Sequence, residues 1–214
     1  MKRKYLGFLV MGLFALAFAS EAPANEVARY DFNVYLNDKR VGSHVYQIRE
    51  VDGVRQVLSE ASFKYRILFI PAYRYEHRNA ERWSGNCLLE MDAKTNANGD
   101  RIEVSGERTD SGFRIEKEEG QVELPECVMS FAYWNPDFLE QNRLLNPQTG
   151  EYLDIDVEAV GDEVLEIQGR SVAATRYKLT AKNVELDLWY SDDMQWLALE
   201  SVAKGGNIIR YELS

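Results

Sequence analysis

Apolar and polar residues alternate with a period of two from Arg29 onward. Successive side chains of a β-strand point to opposite faces, so this pattern predicts strands. The first predicted strand has one apolar face, formed by Tyr30, Phe32, Val34 and Leu36. Turn-forming residues interrupt the alternation about every ten residues, which favours antiparallel strands joined in a meander. Asp52-Gly53 is a strong hairpin signal because both residues tolerate positive φ, and Gly161-Asp162 predicts another turn.

The segment between residues 125 and 150 departs from this pattern. It contains three of the five prolines of the chain and a dense aromatic cluster over residues 130–135. Asn135-Pro136 is typical of a helix cap followed by proline at the first helical position, so a short helix is predicted over residues 137–142. We expect this segment to be a plug-like insertion at about 125–150.

About a dozen predicted strands and one helical insertion define the expected fold class. It is mainly β, a curled antiparallel meander in the form of a half-barrel or open barrel, because large twisted sheets tend to curl or split. The insertion would cover the open side of the sheet. A β-sandwich, in which two sheets pack face to face, remains the alternative.

The first 24 residues differ in composition from the rest of the chain. Lys2, Arg3 and Lys4 precede an apolar run, and Ala22-Pro23-Ala24 has the small-x-small pattern of a signal-peptidase site. The apolar run is about 14 residues long and a membrane span needs roughly 20, so a retained anchor is the weaker reading. The sequence therefore predicts a signal peptide over residues 1–24, a single β domain over 25–214 and a periplasmic protein that does not span the membrane.

The charge of the chain bears on its partners. There are 25 Lys and Arg residues against 35 Asp and Glu residues, which gives a formal net charge of −10 at pH 7. A surface of that sign repels phosphate backbones, so nucleic acid is not an expected partner.

Cys87 and Cys127 are the two cysteines of the chain. In an oxidising compartment two cysteines of one domain usually pair, so export predicts a disulfide that closes a loop of about 40 residues. The bond would tether the sheet to the insertion. Two buried free thiols are the alternative.

Candidate ligand-binding residues lie on the strand before Cys87. Its odd positions share one face, which carries Tyr73, Tyr75, His77, Asn79, Glu81 and Trp83. Aromatic walls with a few oriented polar groups are typical of ligand cavities, so Tyr75, His77 and Trp83 are predicted to form a cavity wall. An ordinary, partly buried histidine in a sheet is the alternative. His77 and Glu81 are about 13 Å apart along a strand, too far for a direct acid–base pair.

Phe131, Tyr133 and Trp134 are the aromatic residues of the insertion that we predict to line or gate a ligand site. Tyr and Trp combine a large apolar body with a polar tip, which suits either an anchoring plug or a lid. Asn135 is predicted to cap the helix, with a ligand contact as the second possibility.

No catalytic signature is found in the sequence. It lacks G-x-S-x-G, H-E-x-x-H, a phosphate-binding loop and a dinucleotide glycine fingerprint. The sequence therefore predicts a protein that is not an enzyme and has no cofactor or metal. The expected function is binding of an apolar or amphipathic, lipid-like molecule. The alternative is a protein-interaction or envelope-assembly module that binds an envelope protein through a sheet edge.

Several segments resemble an uncharacterised family of exported bacterial proteins that share a domain of unknown function. They are Tyr30-Asp31-Phe32, Tyr73 to Arg78, Ser130 to Asn135 and Leu188-Trp189-Tyr190. The resemblance implies a periplasmic location and no activity. More loosely, the opening strand pair and the closing hairpin are similar to the periplasmic half-barrels of lipoprotein carriers of the LolA and LolB type, which implies an apolar concave face.

Overall fold

The computed structural model describes residues 25–67, 70–203 and 206–214. The predicted signal peptide lies outside these residues. The described chain consists of fourteen strands and one short helix. Eight strands precede the insertion: β1 (Asn25–Leu36), β2 (Lys39–Val51), β3 (Val54–Ile67), β4 (Ile70–Ser84), β5 (Cys87–Ala97), β6 (Asp100–Arg108), β7 (Phe113–Lys117) and β8 (Gly120–Leu124).

The insertion contains a 3₁₀-helix, Pro136–Glu140, and a short strand, β9 (Arg143–Leu145). The remaining strands are β10 (Tyr152–Ile167), β11 (Arg170–Ala181), β12 (Val184–Tyr190), β13 (Trp196–Ala203) and β14 (Asn207–Leu213). Among the described residues, no helix has the length and hydropathy needed to cross a membrane.

All fourteen strands belong to one sheet, in the order β8-β7-β6-β5-β4-β3-β2-β1-β14-β13-β12-β11-β10-β9. Neighbouring strands are antiparallel, and β14 pairs with β1, so the start and end of the meander lie side by side at its centre. The predicted mainly β, curled antiparallel meander is confirmed, and the two-sheet alternative is wrong for the described chain.

Two local predictions need correction. The helix of the insertion is a 3₁₀-helix that begins at Pro136 and ends at Glu140, earlier than the predicted residues 137–142. Gly161 does not end a strand, because β10 continues through it and the register against β11 shifts between Ala159 and Gly161. At φ 148° this glycine accommodates a β-bulge, which bends the strand without ending it.

The main hydrophobic core lies between the inner face of the sheet and the insertion. Its largest fully buried side chains include Trp83, Trp196, Tyr190, Phe32 and Phe138. They come from both halves of the sheet and from the 3₁₀-helix, and all belong to one contiguous cluster. The rings of Phe32 and Trp196 have centroids 4.2 Å apart where β1 and β13 approach. Burial of these rings is the main stabilising term of the fold.

The insertion is attached to the sheet by several different contacts. Leu88 N–H donates to the carbonyl of Val128 over 2.9 Å. The hydroxyl of Tyr190, on β12, donates to the carbonyl of Tyr133 over 2.7 Å. Between these points the insertion also forms a parallel bridge of its own, from Ser130 to Leu145. It is therefore fixed to β5 on one side and to β12 on the other.

The predicted disulfide between Cys87 and Cys127 is present, with Cα atoms 4.8 Å apart. Cys87 is the first residue of β5, and Cys127 lies at the start of the insertion. The bond holds the beginning of the insertion against the sheet beside the Leu88 to Val128 hydrogen bond.

Candidate functional site

The register of β2 to β5 places a set of polar residues together on the inner face of the sheet. His44 pairs with Ala61, which pairs with His77, which pairs with Thr95. In the next row Tyr46, Ser59, Asn79 and Ala93 are aligned in the same way. Glu81 occupies the following row, opposite Val57 and Met91. A polar floor therefore crosses four strands.

The two histidines of the chain are both buried in this floor. His44 Nε2 lies 2.6 Å from the hydroxyl of Ser59, and His77 Nδ1 lies 2.9 Å from the hydroxyl of Thr95. Burial lowers the pKa of His77 to about 4. Burial, with a smaller contribution from the neighbouring His77, lowers the pKa of His44 to about 3. Both imidazoles are therefore neutral at neutral pH.

Glu81 connects the floor to the insertion. Its carboxyl group accepts hydrogen bonds from Asn79 Nδ2 at 2.8 Å, Ser130 Oγ at 2.8 Å and Trp83 Nε1 at 3.0 Å. Ser130 belongs to the insertion, so this buried carboxyl group joins the two layers. Burial raises the pKa of Glu81, and the three hydrogen bonds oppose that rise.

Two buried polar atoms of the floor have no hydrogen-bond partner among the described residues: His44 Nδ1 and Asn79 Oδ1. Buried polar atoms are nearly always paired, with protein or with ordered water. Ser59 lies between the two residues in the sheet, on β3. The unpaired atoms therefore mark a place where a polar group from outside the chain would be stabilised.

A cavity of about 230 Å³ lies over this floor, between the sheet and the insertion. The insertion contributes Phe131, Tyr133 and Trp134 as its roof. The remaining walls are apolar or aromatic side chains of β4 and β12 to β14, namely Tyr75, Val184, Leu186, Leu199, Ile209 and Tyr211. Asn146, Pro147 and the exposed Gln148 line one end, where the cavity reaches the surface.

The tyrosines of the cavity are uncharged. Burial, assisted by neighbouring tyrosines, raises the pKa of Tyr75, Tyr133 and Tyr211 far above the ordinary value of 10. Each ring therefore presents an apolar face and a neutral hydroxyl group. Within the described chain no three His, Cys, Asp or Glu side chains are grouped as a metal site would require.

The structure brings five of the seven predicted ligand-binding residues together around this cavity: Tyr75, His77, Phe131, Tyr133 and Trp134. Trp83 is not among the lining residues. It is fully buried beside the cavity, edge-to-face with Trp134 at 5.6 Å, and donates to Glu81.

Asn135 is also outside the lining and caps the 3₁₀-helix. Its side-chain oxygen accepts from the N–H of Asp137 at 3.3 Å, and its amide donates to Asn86 at 3.2 Å. The capping role expected from the sequence is therefore the one that the structure shows.

Most of the lining residues were not predicted from the sequence, among them His44, Tyr46, Ser59 and Tyr211. Each has the right position in the alternating pattern to face inward. Only the strand order, which places β14, β1, β2 and β3 side by side, brings them to the same cavity. A single sequence does not specify which strands become neighbours.

A larger groove, of about 730 Å³, runs along the outer face of β2 to β7. Four of its charged residues form two ion pairs, Arg82 with Glu90 at 2.7 Å and Arg114 with Glu107 at 3.6 Å. Exposed ion pairs of this kind are common on sheet surfaces and contribute little to stability. The inner cavity, with its unpaired buried atoms, is the better candidate for a site.

The fold and the cavity define a class of protein: a curled antiparallel sheet whose inner face is covered by an inserted segment. A solved structure with a similar fold is the beta-barrel-like protein of domain of unknown function DUF1849 from Brucella abortus. It superposes with a TM-score of 0.63 over 87% of this chain and 94% of that chain, at 7% sequence identity.

Residues 32–214 match the family model of DUF6134, a domain of unknown function, and the chain belongs to that family. The uncharacterised family expected from the sequence is confirmed. No curated protein matches the chain. The comparisons thus establish fold and family without assigning an activity.

Proposed function

We propose that this protein is an exported, non-catalytic binder of a small apolar or amphipathic molecule, held between the sheet and the insertion. The observation that carries the proposal is the cavity of about 230 Å³, which combines aromatic walls with two unpaired buried polar atoms. Ligand sites commonly have this composition, mostly apolar with a few polar groups that orient the ligand.

The size of the cavity limits the ligand. An apolar protein cavity of about 150 Å³ holds benzene. A cavity of about 230 Å³ therefore accepts a substituted ring or a short acyl segment, but not a complete two-chain lipid. A longer chain would have to leave past Gln148, where the cavity reaches the surface.

The polar groups of the cavity favour binding over catalysis. A general acid or base works best when its pKa is near the operating pH. The pKa values of His44 and His77, about 3 and about 4, are far below that range. Glu81 is already held by three donors within the protein.

Export is supported by the disulfide, because such bonds persist in oxidising compartments and are rare in the cytosol. The proposal expects mature protein in the periplasmic fraction with Asn25 as its first residue. Cell fractionation followed by N-terminal sequencing tests this. Cytosolic protein that retains Met1 or Lys2 would contradict it.

The binding proposal is tested by native mass spectrometry of protein purified from its own periplasm. We expect a bound mass, and a brominated fatty alcohol should quench tryptophan fluorescence because Trp134 lines the cavity. Ser201→Leu adds volume inside the cavity and should abolish both signals. Ser62→Leu, on the exposed outer face of β3, is the matched control and should change neither. An empty wild-type protein that no alcohol quenches would refute the proposal.

The second candidate function is an envelope-assembly module that binds a partner protein through a sheet edge. Strand β8 ends the sheet order, its first four residues are exposed, and Val122 retains 45% of its accessible surface. Edge strands of this kind can accept a strand from another chain. Cross-linking would favour this function if one envelope protein dominated the products, Val122→Pro removed it and Ser201→Leu did not.

A further inference from the structure

The charges around the cavity, together with its unpaired atoms, narrow the chemical class of the ligand. This inference rests on the proposed binding function. Among the described residues that line the cavity, none is Lys or Arg, and Glu81 is the only carboxyl group. The remaining lining groups are neutral imidazoles, hydroxyls, amides and apolar side chains.

An anionic ligand is poorly matched to this lining. Moving a carboxylate out of water is costly unless a cation or several donors replace its hydration. The described lining offers no cation, and the carboxyl group of Glu81 adds negative character where it is ionised. A free fatty acid carboxylate would therefore lose more hydration free energy on entering the cavity than its contacts there would supply.

A cationic ligand is also poorly matched, although the aromatic rings would attract one weakly. Among the described lining residues, Glu81 is the single group able to balance a positive charge, and both of its oxygens already accept hydrogen bonds from protein donors. Burial raises its pKa, which disfavours the ionised form that a cation would require. An ammonium group would lose its hydration with little compensation.

A hydroxyl group, by contrast, fits the unpaired atoms of the floor. His44 Nδ1 and Asn79 Oδ1 belong to β2 and β4, and the strand between them carries the small residues Ser59 and Ala61. Small side chains at the centre leave space above the sheet for a polar group. A hydroxyl both donates and accepts, so it is able to donate to Asn79 Oδ1 and to accept from His44 Nδ1 in the tautomer that carries the proton on that nitrogen.

We propose that the ligand is an uncharged molecule with a ring-sized apolar body and one hydroxyl group. The hydroxyl binds at His44 and Asn79, and the apolar body lies among Tyr75, Tyr133 and Tyr211.

Four probes of nearly equal size test the proposal by isothermal titration calorimetry at pH 7: 4-ethylphenol, ethylbenzene, 4-ethylbenzoate and 4-ethylbenzylammonium. We expect 4-ethylphenol to bind about tenfold more tightly than ethylbenzene, the ratio that one additional net hydrogen bond supplies. Both charged probes should bind at least about tenfold more weakly than 4-ethylphenol. Equal affinity of ethylbenzene and 4-ethylphenol would overturn the role of the hydroxyl, and benzoate binding as tightly as the phenol would overturn the exclusion of charge.

A variant with an added positive charge tests whether the probes bind in this cavity. Gln148→Lys places a cation at the open end of the cavity on an exposed residue, where it should not impair folding. It should strengthen 4-ethylbenzoate binding severalfold and leave 4-ethylphenol within about twofold, since only the anion gains a charged partner. Gln121→Lys on β8, which is also exposed but not in the lining, is the matched control and should change neither affinity. Equal effects of the two variants would overturn the assignment to this cavity.

The four probes distinguish a failure of the binding function from a failure of the uncharged-ligand inference. If none of the four probes binds the wild-type protein, the proposed binding function itself is refuted. If the probes bind and Ser201→Leu abolishes binding, but 4-ethylbenzoate is preferred, the binding function stands and the uncharged-ligand inference is wrong.

Discussion

The interior of the protein contains a few buried polar side chains in addition to its apolar core. Glu81 and the two histidines are each buried at 7% exposure or less, and all three are hydrogen-bonded to neighbouring side chains. Burying such groups costs stability unless they are paired or neutral. Each imidazole is paired with a hydroxyl group and, because its pKa is lowered, is neutral at neutral pH. The same lowering of the pKa makes the stability of the protein depend on pH.

The first prediction concerns His77. Its pKa in the folded protein is about 4, below the ordinary 6.5, so the folded state favours the neutral imidazole. The stability that this supplies is present above pH 6.5 and is lost as the pH falls toward 4. Between pH 8 and pH 5 the loss should be about 2 kcal/mol.

His77→Gln removes this titration while keeping a polar side chain opposite Thr95. Urea unfolding at several pH values should show the wild-type protein losing about 2 kcal/mol relative to the variant between pH 8 and pH 5. Glu81 titrates in the opposite direction, but it is present in both proteins and cancels in the difference. A difference in unfolding free energy that is constant with pH would contradict the assignment of this pH dependence to His77.

The second prediction concerns the hydroxyl of Tyr190, which donates to the carbonyl of Tyr133. Tyr190→Phe should lower the free energy of unfolding by about 1 kcal/mol, because a partly buried carbonyl loses its donor. Tyr177→Phe, at a ring that contacts Tyr190 edge-to-face, is the control and should cost less. Chemical denaturation of the two variants measures both values. Equal losses would mean that this hydrogen bond does not hold the insertion.

At the scale of the elements, the insertion rather than the strands is the unusual part of the fold. The strands follow the alternating pattern, whereas the insertion has little regular structure and depends on tertiary contacts. Those contacts are the buried side chains of Phe138, Leu144 and Leu145, the hydrogen bond to Glu81, and the disulfide. Loosening of the insertion would open the cavity beneath it.

The third prediction addresses the disulfide. The bond joins residues 40 positions apart. Replacing both cysteines by serine should cost about 4 kcal/mol on the chain-entropy estimate, which corresponds to a fall of about 10 °C in Tm for a domain of this size. Differential scanning calorimetry measures it. A shift below about 2 °C would show that the other contacts of the insertion are sufficient by themselves.

For the whole molecule, the sequence predicted those structural features that a local residue pattern determines. Alternation predicted the strands and the inward direction of Tyr75 and His77, and aromatic density identified Phe131 and Tyr133. The positions of His44 and Tyr211 in the site were not predictable, because their proximity depends on the pairing of β1 with β14 and on the strand order. Trp83 satisfied the same alternation, yet packing against Trp134 placed it beside the cavity instead of in its wall. Periodicity specifies the face of a strand, while only the packing decides whether the space there is hollow.

The proposed ligand site, between the sheet and the insertion, is expected to admit a small uncharged molecule. A crystal structure of the protein grown with 4-bromophenol tests it directly, since bromine is located by its anomalous signal. We expect a bromine peak among Tyr75, Tyr133 and Tyr211, with the phenol oxygen within hydrogen-bond distance of His44 or Asn79. A cavity that is filled by side chains, or a probe bound only on the outer face of the sheet, would contradict it.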